Sequence, residues 1–120
     1  MTNNYNQMSG IFHALADTTR RAVLQRLSEK PASVSELAKP FDMALPTFVQ
    51  HLKVLESSGL IRSEKVGRVR TCEMVPDALK SAEEWIADRT RLWEQRLDAL
   101  EVHLSTKSNE DTKGQANENE

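Results

Sequence analysis

Apolar positions along the chain follow a helical period at both ends and a strand period between them. Met8, Ile11, Phe12, Leu15 and Ala16 recur at spacings of three and four, which predicts a short amphipathic helix over 8–16. Asp17-Thr18-Thr19 supplies an N-cap signal. A second helix follows, with Val23, Leu24 and Leu27 inward and arginines outward. Lys30-Pro31-Ala32-Ser33 breaks it, and Ser35-Glu36-Leu37-Ala38 makes a third, very short helix that stops near Pro40. After a turn at Phe41-Asp42-Met43, Leu45, Phe48, Val49, Leu52 and Leu55 line one face of a fourth helix, residues 44–58. Pro46 fits there because the first turn of a helix does not need its missing N–H. Gly59 suits the left-handed position just past the helix end.

The period then changes to that of strands. Residues 60–66 and 69–75 are two β-leaning runs around Gly67-Arg68, a two-residue, glycine-first hairpin turn. Pro76-Asp77 restarts helix, and 77–104 continue without Gly or Pro. At 1.5 Å per residue that run is about 42 Å long, more than a small domain is wide. Its apolar side, Leu92, Trp93, Leu97, Leu100 and Leu104, therefore needs a partner beyond its own core. Residues 1–7 read as a flexible N-terminus. Residues 105–120, almost wholly polar, read as a disordered tail after a single domain over 8–104. The expected architecture is mainly α with a β-hairpin wing: four helices, two strands and a last long helix, the layout of a winged helix-turn-helix.

Composition excludes several classes. The 120 residues suffice for one domain. No run approaches the roughly 20 apolar residues of a membrane span, and the first residues lack a signal-peptide layout, so a cytoplasmic protein is expected. A single cysteine, Cys72, excludes an internal disulfide and a Cys-cluster metal site. Three scattered histidines, no Gly-rich phosphate loop and no metal spacing argue against an enzyme, a metal or a cofactor.

Net charge is −2, but it is unevenly distributed. Residues 18–30 carry four basic residues against one acid, and 45–71 carry five against two, so each segment is +3. Residues 76–104 carry four against seven, or −3. The positive field lies where a helix-turn-helix meets a polyanion. A major groove about 12 Å wide admits one helix whose exposed face carries hydrogen-bonding groups. The candidate DNA contacts are Thr18, Thr19 and Arg20 opening the second helix; Leu45, Pro46, Thr47, Gln50, His51 and Lys53 on the fourth; and Arg62, Lys65, Arg68 and Arg70 on the hairpin.

These residues carry a family resemblance. Leu15-Ala16-Asp17-Thr18-Thr19-Arg20-Arg21, Ser35-Glu36-Leu37-Ala38, Leu45-Pro46, His51-Leu52-Lys53-Val54-Leu55-Glu56, Gly59-Leu60-Ile61 and Gly67-Arg68 occur in the order found in the ArsR-type (ArsR/SmtB) bacterial repressors. The resemblance covers about 8–104 and implies a homodimeric winged helix that represses transcription. It also implies pairing through the first and last helices, here Ile11, Phe12 and Leu15 with the stripe from Leu92 to Leu104. Two departures stand out. Ala44 and Val49 replace serines common in the family's recognition helix, so base preference does not transfer. Ser33-Val34-Ser35-Glu36-Leu37-Ala38-Lys39 also lacks the family's thiol metal motif.

Other readings compete at single residues. His51 either touches DNA or packs on its own turn, and its place after Gln50 favours contact; His13 and His103 read as ordinary helix residues. Cys72 beside Arg70 could form a redox sensor, but a lone cysteine in a β-run is more often a small buried residue. Trp85 and Trp93 fit a core or dimer interface better than an effector pocket. A winged helix kept for protein contact alone would carry a neutral or acidic hairpin. The operator and the inducing signal, whether small molecule, protein or none, stay unread.

Overall fold

The computed structural model describes residues 4–118, with side chains over 6–106. Helix α1 (Asn4–Leu15) leads to α2 (Thr18–Leu27), β1 (Ala32–Ser33), α3 (Val34–Ala38) and α4 (Leu45–Ser57). The hairpin β2 (Ile61–Val66) and β3 (Val69–Met74) follows, then a 3₁₀ turn (Pro76–Leu79) and α5 (Lys80–Glu118).

Local chemistry sets the boundaries. Asp17 caps α2, its Oδ2 accepting from the Arg20 backbone N–H at 3.0 Å. Ser33 caps α3 in the same way, its hydroxyl accepting from Glu36 N–H at 3.2 Å. Helix α4 starts without a side-chain cap, with proline in its first turn. It ends in a Schellman arrangement: Leu60 N–H donates to Leu55 C=O at 3.1 Å and Gly59 N–H to Glu56 C=O at 3.0 Å. Gly59 adopts φ +84°, which a side chain would oppose.

The three strands form an antiparallel sheet in the order β1-β3-β2. Register pairs Val66 with Val69 at the turn and runs out to Ile61 opposite Met74. Strand β1 was not expected. Ala32 pairs with Cys72 and both are buried, but two residues are too short to show an alternating pattern.

A core of Ile11, Val23, Leu24, Leu37, Phe48, Leu55 and Leu60 joins the helices to the sheet, and Ala82 at the start of α5 is buried with it. Phe41 packs on Phe48 with ring centroids 5.3 Å apart. Ile11 corrects an expectation: it is fully buried in its own chain's core, whereas Phe12 and Leu15 remain half-buried.

The chain forms two compact units, one ending at Glu83 and the other starting at Glu84. The second is α5 from Glu84 onward, where the Arg89 guanidinium lies 5.3 Å from the Trp85 ring centre and Arg91 pairs with Asp88. Both ends differ from expectation. Helix α1 begins at Asn4, inside the segment expected to be flexible, and α5 carries helical backbone through 105–118, expected to be disordered. No proline follows Pro76, and polar composition alone does not stop a helix already nucleated. The expectations for residues 1–3 and 119–120 lie outside the described residues.

Candidate nucleic-acid interface

The exposed face of α4 is polar where its opposite face is core. Phe48, Leu52 and Leu55 are buried, while Pro46, Thr47, Gln50 and Lys53 are exposed at the spacing of one helix face. Leu45 is also exposed, at the helix start. His51, expected among the outward contacts, is half-buried, and so is Val54.

His51 belongs to a bracket between helices. Its Nδ1 lies 3.2 Å from Arg20 Nη1 and 3.6 Å from Asp17 Oδ2. Arg20 also donates from Nε to Ala14 C=O at 2.8 Å and from Nη2 to His13 C=O at 3.0 Å. Arg21 donates to Leu15 C=O at 2.8 Å. These are carbonyls of the last turn of α1, which a helix leaves unsatisfied and which attract cations. Asp17 completes the bracket. The Arg20 backbone N–H, helped by the nearby Arg20 guanidinium, holds its carboxyl below the usual range despite partial desolvation.

Arg20, expected to meet phosphate, thus directs three N–H groups into the protein and joins α1 and α2 to α4. Thr18 beside it is exposed and Thr19 half-buried. Arg20→Ala is expected to lower stability by about 2 kcal/mol in urea denaturation, since charged hydrogen bonds to α1 are lost. Arg20→Lys should recover little, because an ammonium does not reproduce the guanidinium fork. Wild-type stability in the lysine variant would mean that only the charge matters.

The hairpin cations fall into two groups. Arg62 sits opposite Glu73 and is ion-paired with it. Arg70 donates to Ser63 Oγ at 2.8 Å, and Ser63 donates to Glu56 Oε1 at 3.1 Å, which ties the hairpin to α4. Lys65 lies directly across from Arg70, two like charges on neighbouring strands, an arrangement that is destabilising on its own. Arg68 occupies the turn beside Gly67, whose φ is +64°. Lys65 and Arg68 make no ion pair among the described residues, and both are exposed. A double-stranded polyanion would neutralise this tip.

The Arg62–Glu73 pair was readable in principle, since a two-residue turn fixes hairpin register and places residues 62 and 73 opposite. The Arg20–His51 bracket was not, because nothing in sequence marks contacts 31 residues apart.

On α5, Trp93 is 61% exposed, and Leu97, Leu100 and Leu104 follow at spacings of four, three and four on one face, each about half exposed. Leu92 is exposed beside them. Cys72 is buried; burial foremost, and the charge of Glu56, push its thiol pKa up, against a smaller opposing pull from Arg70. A neutral buried thiol is a poor sensor. Among the described residues no three His, Cys, Asp or Glu are placed to hold a metal ion, and no helix is long and apolar enough to cross a membrane.

Known proteins resemble this arrangement. A helix-turn-helix domain family matches residues 15–64. The HTH-type transcriptional regulator Rv2034 of Mycobacterium tuberculosis is 34% identical over 93 residues, covering 78% of this chain and 84% of that protein. A crystal structure of an ArsR family transcriptional regulator matches with a TM-score of 0.73 and 57% identity, over 78% of this chain and 97% of that one. A homodimeric winged helix-turn-helix DNA-binding domain from Mycobacterium bovis, solved in solution, shares the fold at 24% identity and a TM-score of 0.58, over 73% of this chain and 83% of that one.

Proposed function

Since the chain belongs to the ArsR family of winged helix-turn-helix transcriptional regulators, which are DNA-binding proteins and not enzymes, we propose that it is a homodimeric repressor of the bacterial cytoplasm. The observation that carries this reading is the pairing of an exposed polar face on α4 with an unneutralised cationic hairpin tip. Lys53 of α4 borders the same groove as Lys65, Arg68 and Arg70. Helix α4 enters the major groove with Thr47 and Gln50 toward base edges, and Leu45 and Pro46 lead it in. Lys53, Thr18, Lys65, Arg68 and Arg70 meet the backbone, while Arg20 and His51 hold α4 in place and Arg62 remains largely paired.

The exposed α5 stripe, with Phe12 and Leu15 of α1, supplies the two-fold interface. Symmetry then sets two α4 helices about 34 Å apart, on an inverted-repeat operator. A dimer seated there represses by occupying the promoter. Residues 8–104 contain all these elements and are the unit that dimerises and binds.

Gln50 gives the sharpest test of base reading. A Gln–adenine bidentate pair contributes about 1–3 kcal/mol of discrimination. Gln50→Ala should therefore relax preference at one operator position per half-site and leave affinity for unrelated DNA nearly unchanged. Equal weakening on every sequence would show that Gln50 only positions the backbone.

A further inference from the structure

An open groove of about 910 Å³ lies between α3, α4 and the hairpin. Its floor includes Leu52, Ile61 and Cys72, each at least nine-tenths buried. The rim on the hairpin side is Lys65, Arg68 and Arg70. The two acids that also border it are engaged: Glu56 accepts from Ser63, and Glu36 lies 3.9 Å from Arg26. The groove is thus apolar below and positive above, in the size range of about 300–1,000 Å³ typical of small-molecule sites.

DNA phosphate explains only the rim. A sugar–phosphate backbone would neutralise Lys65 and Arg70 but gains nothing from Val34, Val49 and Val69, the apolar side chains of the groove that are not buried. A small amphiphile satisfies both parts. Its apolar body covers Val34, Val49 and Val69, apolar lining residues that meet water, and its anionic head relieves the repulsion between Lys65 and Arg70 with charge-assisted hydrogen bonds.

We infer that this groove binds a small organic anion, a carboxylate carrying a hydrocarbon or aromatic body, and that this anion competes with the DNA backbone for the hairpin cations. Binding of the anion depends on the groove alone. Competition rests on the proposed function, which places the hairpin at DNA. Release of DNA would then come from direct exchange of one anion for another at the same side chains.

The test uses the full chain and decanoate as probe, with decanol and inorganic sulfate as its uncharged and non-apolar counterparts. Decanoate is expected to bind once per protomer by calorimetry and to shift the methyl resonances of Leu52, Ile61 and Val69. Decanol and sulfate should each bind about tenfold more weakly or worse, since each lacks one half of the match. Lys65→Ala with Arg70→Ala, at exposed positions whose mutual repulsion the change relieves, should weaken decanoate about tenfold or more without unfolding the protein. Decanoate should also raise the apparent Kd for DNA. No binding up to millimolar decanoate, sulfate binding as tightly as decanoate, or shifts confined to Leu97 and Leu100 on α5 would each overturn the site. Groove binding that leaves DNA affinity unchanged would support the site, refute competition and count against the hairpin as a phosphate contact.

Discussion

Changing Trp93 and Leu97 together to aspartate is expected to convert the protein to a monomer and to abolish specific DNA binding. The two side chains lie on one exposed face of α5 with Leu100 and Leu104. Apolar surface left in water forgoes about 25 cal/mol per Å² that pairing would recover. Two-fold symmetry places every substitution in the interface twice, so four carboxylates would enter an apolar surface. An unpaired buried charge costs about 3–5 kcal/mol, enough to dissociate a dimer at micromolar concentration. Loss of the second half-site then removes the gain from linked binding, about 10²–10⁴ in affinity. Sedimentation should report a folded monomer or an unfolded chain, with DNA binding lost in either case. A double variant that remains dimeric and binds normally would show that the stripe serves another purpose.

The second large effect concerns salt. Each phosphate neutralised contributes about −0.9 to the slope of log K against log salt. Arg68→Ala with Arg70→Ala should therefore flatten the slope by about 2 if one half-site is counted, and by nearly twice that when both protomers engage. Folding should be little affected, because both side chains are exposed and Arg70 lies opposite another cation, Lys65. Arg62→Ala is the built-in comparison. Its guanidinium is already paired with Glu73, so its removal should change the slope far less. A slope unchanged in the double variant would remove the hairpin from the interface, and a large change in Arg62→Ala would mean that the ion pair opens on DNA.

Periodicity made the helices and the hairpin legible because each buries one regular face. Phe48, Leu52 and Leu55 announce α4, and Gly67 announces the turn through a backbone angle that glycine adopts readily. What escaped depends on contacts between distant residues. Ile11 shares its period with Phe12 and Leu15, and only packing decides that Ile11 turns inward. Arg20 looked like a phosphate ligand because a cation opening a helix-turn-helix helix has that appearance. Its actual partners are carbonyls of the preceding helix and His51, which no local pattern reveals. Strand β1 was hidden by its length, and the extent of α5 by a polar composition that serves a solvated helix as well as a loose tail.

The central claim is sequence-specific DNA binding by a dimer. Its most direct measurement is a titration of the protein on the DNA upstream of its own gene and on a scrambled duplex of the same length and composition, at physiological salt. Tight binding to the upstream DNA, with protection of an inverted repeat and affinity about 10³-fold or more above the scrambled duplex, is the result expected of a specific regulator acting there. Equal affinity for both duplexes, falling together with salt, would contradict specific recognition at that site and leave only a cationic surface that binds any polyanion.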